Sequence, residues 1–302
     1  MTNLKTWLLS ALLLQACAST QPQRPVTAWN FDWDDNIAYM PTTIVLFEKK
    51  TGQEAQVTTE DFAHIREDVG KKGAWKAYEI RGEDRQKGSF RNFSDQPKSN
   101  PFLDDLRKAV ETEERQQWQG PSWEAFRLAL SDPEIARRTT IITARGHSPE
   151  ALAAGLVYLK EKGFLKEIPP KENLFAVSHE RWKGAASSPS ATKAKIMIQL
   201  LDDLEKVPVP AGTAETWSRN GDSKVAQHLW GFSDDDYGNY EAAFKILGPE
   251  VKKGRWPHVK ITLFFTGFKK EGVRPHSAVI KNDGTLREKL ADEQESNPGR
   301  GA

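Results

Sequence analysis

The stretch Val26-Thr27-Ala28-Trp29-Asn30-Phe31-Asp32-Trp33-Asp34-Asp35-Asn36-Ile37 decides how the chain is read. Its first half, Val26 to Phe31, is a short apolar segment with the character of a strand, and three carboxylates follow where that strand should end. Successive side chains on a strand point to opposite faces, so Asp32 and Asp34 are expected on one side, able to converge on a single cation or phosphoryl group. Carboxylates placed so close repel each other and raise each other's pKa unless a cation lies between them, which points to chemistry. An acidic turn or a helix cap would give the same letters, because Asp is a common turn residue. The remainder of the chain decides between the two readings.

Toward the N-terminus, Lys5 precedes the apolar run Trp7 to Leu14, which ends in Leu14-Gln15-Ala16-Cys17. The run is well short of the roughly 20 residues of a membrane-spanning helix and reads as an export signal over residues 1–16. Leu14 to Cys17 resembles the lipobox of bacterial lipoproteins. That resemblance implies that Cys17 becomes the lipidated first residue of a mature chain anchored to a bacterial membrane in the cell envelope, facing the periplasm or exterior. Cys17 is the only cysteine, so no internal disulfide is expected. Residues 17–25, rich in Ser, Thr, Gln and Pro, read as a tether.

The 302 residues suffice for one large domain or for a core with a second domain inserted. Lys and Arg number 43 and Asp and Glu 42, giving a net charge of +1; no global field attracts nucleic acid, and none is expected as a partner. Mean hydropathy of −0.64 leaves no room for a membrane domain. The six histidines show no paired spacing of a zinc site.

Residues 38–137 form a long polar region with helical patterns at Asp61 to Arg66, Pro101 to Glu114 and Ser122 to Leu130, so a mainly helical insertion is expected. Gly82 to Asn100, dense in Arg, Lys, Ser and Asn, reads as a loop or mobile lid. Trp75, Trp118 and Trp123 are candidates either to stack on a base or sugar or to anchor a core. From Arg138 the texture changes. Thr139-Thr140-Ile141-Ile142-Thr143 is a β-branched strand. Ser148-Pro149-Glu150 opens a helix running to Leu159 before Gly163. Leu174 to Val177, Val225 to Phe232 and Val259 to Phe265 follow as strands, with helices at about Ser190 to Glu205 and Tyr240 to Leu247 between them. Such alternation requires parallel pairing through crossovers, hence a doubly wound α/β sheet over residues 26–37 and 138–270. Ligands of such sheets bind at the carboxyl ends of the strands, where Asp32, Asp34, Thr143 and the Asp234 to Asp236 cluster all fall. Residues 271–302 are expected as a C-terminal extension, disordered from about Asp292.

Asp-x-Asp after the first strand, Ile141-Ile142-Thr143-Ala144-Arg145, a lysine at a helix start and Gly231-Phe232-Ser233-Asp234-Asp235-Asp236 occur in the order of the motifs of the haloacid dehalogenase superfamily, which the chain resembles. The resemblance implies a Rossmann-like core with a cap-like insertion at residues 38–137. It implies a Mg²⁺-dependent phosphomonoester hydrolase with Asp32 as nucleophile, metal ligand and site of an aspartyl-phosphate. Asp34 would offer its backbone carbonyl to the metal while its side chain protonates the leaving oxygen and later activates water. Thr143 would hydrogen-bond the transferring group, and Lys193, favoured over Lys195 by its spacing to Leu200-Leu201, would hold the developing charge. Asp234 and Asp235 would complete the metal site; Asp236 is equally placed to cap the turn before Gly238. Arg145 would contact substrate phosphate or form a surface ion pair. Asn36 stands where the family often carries Thr or Ser, and Asp35 where it usually carries Gly. Similarity to the class C acid phosphatases, which combine this chemistry with a lipid anchor, makes nucleotides a substrate guess. A phosphatase of polynucleotide ends and a non-catalytic binding lipoprotein are the alternatives.

Overall fold

The computed structural model describes residues 25–82, 84–112, 117–186, 188–209, 227–267 and 272–290. The chain is α/β. A seven-stranded mixed sheet contains β1 (Thr27–Phe31), β5 (Thr140–Thr143), β6 (Leu174–Ala176), β7 (His228–Asp234), β8 (Val259–Phe265), β9 (His276–Ile280) and β10 (Leu286–Leu290), in the spatial order β10-β9-β8-β7-β1-β5-β6. The five strands from β6 to β8 are parallel, and β9 and β10 add antiparallel at one edge. Numbered along the chain, the parallel strands run third, second, first, fourth, fifth. The order therefore reverses between β1 and β7, where crossovers leave in opposite directions and open a crevice at the strand ends.

Seven α-helices lie among the described residues. Ile141 and Ile142, neighbours on β5, belong to two different apolar cores, one on each face of the sheet. The first core joins β1, β5 and β6 to α2 (Pro101–Thr112), α3 (Trp123–Ala129) and α5 (Pro149–Glu161). Helix α5 starts as the sequence predicts: Ser148 accepts from the Ala151 amide and Pro149 occupies the first turn. A Cβ on Gly155 would lie 2.4 Å from the Phe102 ring, so glycine is what allows α2 to pack so close to α5. Trp118 and Trp123 are core residues, their rings 4.6 Å apart and almost fully buried. The second core packs α6 (Pro189–Glu205) and α7 (Tyr237–Lys252) against β7 and β8. Fully burying each large apolar side chain contributes ~1.5–3 kcal/mol before conformational entropy is subtracted.

Three findings add to or correct these expectations. Residues 38–137 carry the expected helices and, besides them, β2 (Ile44–Glu48), β3 (Glu54–Val57) and β4 (Tyr78–Glu79), which form a separate antiparallel sheet beside α1 (Thr59–Ile65) with their own small core against which Trp75 packs. The main sheet is not wholly parallel and does not end at residue 270, because β9 and β10 continue it. The segment from Gly82 to Asn100 docks on the strand ends, with Gly146 N donating to Phe93 O at 2.8 Å and Ser148 N to both oxygens of Asp95. The export signal, Cys17 and most of the tether lie outside the described residues, as do Val225 and residues 291–302.

Candidate active site

Parallel pairing puts Phe31 level with Ser233 on β7 and with Ile141 on β5, so the residues that end these strands meet on one side of the sheet. Asp32 follows β1, Thr143 ends β5 and Asp234 ends β7. The Asp32 amide donates to Ser233 O at 2.9 Å, fixing the crevice between β1 and β7. Carboxylate oxygens of Asp32, Asp234 and Asp235 lie within 4.8 Å of one another. Lys193 reaches this group from the first turns of α6, whose start is set by the Ser188 cap and Pro189. Its Nζ donates to Asp32 Oδ1 and to Asp234 Oδ2, both at 2.8 Å. Lys195 is exposed and donates to the Ala185 carbonyl instead, so only Lys193 joins the group.

One ammonium cannot neutralise three carboxylates, two of them buried and the third, Asp235, half-buried. Burial pushes Asp32 up to about 8 against the pull of Lys193, with Asp234 and Asp34 adding to the rise. Burial likewise raises Asp234, which Lys193 opposes, and raises Asp235 far above the carboxylate range with help from Asp234 and Asp32. Burial works against the Lys193 charge, but Asp234 and Asp32 outweigh it and keep its pKa above the ordinary lysine value. The cluster is a charged lysine among an excess of acids. Such a donor set suits a hard divalent cation, which takes carboxylate oxygens and would lower the pKa of each.

The turn that carries the acids is held by Asn36, a residue with no assigned role in the sequence reading. It is completely buried. Its Nδ2 donates to Asp32 O and Ser233 O, each at 3.1 Å. Its Oδ1 accepts from the hydroxyls of Ser122 (2.7 Å), Ser233 (3.0 Å) and Thr266 (2.8 Å). Only Ser233 lay in a motif; Ser122 and Thr266 sit in segments that give no local signal. Asp35, just before Asn36, adopts φ of 55°, the left-handed region that glycine enters most easily. The side chain of Asp35 is pushed up to about 6 by burial first and then by Asp34. Asp236 takes the capping role: its Oδ1 accepts from Gly238 N at 2.7 Å, and its other oxygen accepts from Arg66 at 2.9 Å.

The Asp34 carboxylate does not join the Asp32, Asp234 and Asp235 group but is paired separately. The strand ends at Phe31, and the amides of Ile37 and Ala38 turn back to Trp33 O, which sends the Asp34 carboxylate to a different partner. That partner is Arg145, expected at the substrate. Arg145 is fully buried and pairs with Asp34, its Nη2 2.6 Å from Oδ1. Thr143 is buried, and its Oγ1 accepts from Arg145 N at 3.3 Å. His147 is buried against Phe102 with neither ring nitrogen partnered among the described residues; burial first and then Arg145 lower its pKa to about 2, so the ring is neutral. Among the described residues no helix is long and apolar enough to cross a membrane. Compared with known proteins, the chain matches no family model, no curated protein and no solved structure.

Proposed function

We propose that the protein is a Mg²⁺-dependent phosphomonoester hydrolase with a core of the haloacid dehalogenase type. The observation that carries this reading is the Lys193 ammonium bridging Asp32 and Asp234, beside Asp235, at the reversal point of the sheet. Structural ion pairs tend toward balance, whereas this group has more acid than base and waits for positive charge and an anionic ligand.

In the proposed reaction a carboxylate oxygen of Asp32 attacks phosphorus as the bond to the ester oxygen breaks, leaving an aspartyl-phosphate. Asp34 gives its proton to the departing alkoxide, then takes one from the water that attacks phosphorus, and inorganic phosphate leaves with the Asp32 carboxylate regenerated. In this reading Lys193 stabilises the charge that gathers on the transferring oxygens, and the Thr143 hydroxyl would donate to them. Asp32, Asp234 and Asp235, with the Asp34 carbonyl, would hold Mg²⁺, which would supply the charge neutralisation that lets a carboxylate approach a phosphate dianion. Small phosphorylated metabolites, nucleotides among them, are the proposed substrates.

Export and a lipid on Cys17 are proposed from the sequence alone. The Cys17→Ser protein should move from the membrane to the soluble fraction, and unchanged membrane association would refute the anchor. The central test is hydrolysis of an aryl phosphate by the purified protein with Mg²⁺. Turnover should fall by about 10³-fold or more in Asp32→Asn with an unchanged circular dichroism spectrum. Activity that survives this change removes the nucleophile and the proposal with it.

A further inference from the structure

Arg145 is buried at 0% exposure where the inserted region meets the strand ends. Its Nε donates to both oxygens of Asp34, at 3.1 and 2.9 Å, and its Nη2 to Oδ1 at 2.6 Å. The same Nη2 donates to Thr42 Oγ1 at 2.9 Å, and the Thr42 hydroxyl donates onward to Asp105 Oδ2 at 2.6 Å. The Phe93 and Phe102 rings are centred 4.8 and 5.2 Å from the guanidinium carbon. Nη1 is buried without a partner among the described residues.

A buried pair with one donor left unpaired is a poor source of stability, since packed apolar side chains of similar volume commonly do as well. What the arrangement fixes is direction. A planar guanidinium held by two aromatic faces and a hydroxyl leaves the Asp34 carboxylate one orientation, and the groups that hold the guanidinium (Thr42, Phe93, Phe102 and Asp105) all belong to the inserted region. We infer that Arg145 is a positioning residue rather than a substrate contact: it sets the Asp34 carboxylate for proton transfer to the leaving group, and the inserted region governs that setting through Thr42 and Asp105. The inference rests on the hydrolase reading.

Proton transfer matters in proportion to how poor the leaving group is, which separates this role from a merely structural one. The experiment compares 2,4-dinitrophenyl phosphate, whose leaving group needs no proton, with glycerol phosphate, whose alkoxide does, using the full chain with Mg²⁺. Arg145→Lys should lower kcat/KM, which reports phosphoryl transfer to Asp32 and not the later hydrolysis common to both esters, by about 100-fold for glycerol phosphate and by less than about 3-fold for the dinitrophenyl ester. Thr42→Val, nearly equal in volume and sparing the ion pair, should show the same split at about 10-fold, so the inference is decided even if Arg145→Lys does not fold. Asp34→Asn should reproduce the split at full size. Equal losses in kcat/KM on both esters, or no split in Asp34→Asn, each overturn the inference. Turnover persisting in Asp32→Asn overturns the hydrolase reading instead, so the two failures are distinguishable.

Discussion

Asn36 and Asp32 stand four residues apart at the same end of the main sheet, both buried, yet their surroundings are balanced in opposite ways. Asn36 is neutral and saturated, with two donated and three accepted hydrogen bonds that join the β1 turn to β7, to the start of α3 and to the segment after β8. Asp32 shares a single lysine with Asp234, beside Asp235, so the group as a whole has more acid than base. A polar group whose valences are all met inside the protein is scaffold, while one left in electrical excess is kept for something that arrives later. The Asp34–Arg145 pair lies between these extremes, matched in charge but with one guanidinium nitrogen unpaired.

The contrast is broken most severely at the hub. Asn36→Ala leaves the Asp32 carbonyl and the Thr266 hydroxyl without their partner, while Ser122 and Ser233 keep their mutual hydrogen bond and Ser233 O keeps the Asp32 amide, and should cost about 3 kcal/mol in urea unfolding. A loss below about 1 kcal/mol would show that the neighbours close ranks without it. At the acid cluster the effect has the opposite sign, because a ligand that binds only the folded chain stabilises it. Mg²⁺ at about 100 times its dissociation constant should add ~2.7 kcal/mol, read as a rise in melting temperature. Asp235→Asn should shrink that gain while making the metal-free protein more stable; identical melts with and without Mg²⁺ would sink the cation site. The smallest effect is expected between the two residues, where Asp35→Gly removes a left-handed penalty and a buried carboxylate and should stabilise by ~1 kcal/mol. Destabilisation there would mean that the turn depends on the Asp35 side chain.

Segments that carried both periodicity and punctuation were legible in the sequence. Val259 to Phe265 alternates buried and partly exposed residues along a half-covered sheet, and Ser188 and Ser148 each cap a helix with proline next in line. The family's usual spacing from its lysine to the apolar residues that follow, matched at Leu200 and Leu201, favours Lys193 over Lys195, and in the structure only Lys193 reaches the acids. Some signals were present and passed over. Ile44 to Phe47 is a continuous buried apolar run, and Asn282-Asp283-Gly284 is a hairpin turn between β9 and β10. Others were absent: Glu54–Val57 and Tyr78–Glu79 are strands only because Ile44–Glu48 offers them an edge. The Asn36 hub and the Arg145 relay draw on residues far apart in the chain, and no local pattern announces such convergence.

The central place of β1 has a kinetic corollary. Asp32 is made early, but Lys193 lies 161 positions further on, and β7, which pairs with β1, later still. Loops of that span close slowly, since their entropy is lost before any contact compensates it. A growing polypeptide therefore carries Asp32 without counter-charge until Lys193 has emerged from the ribosome, and the acid cluster is complete only once residue 235 has followed. Any fragment cut before that point should be inert, and activity should rise together with the last step of folding rather than ahead of it.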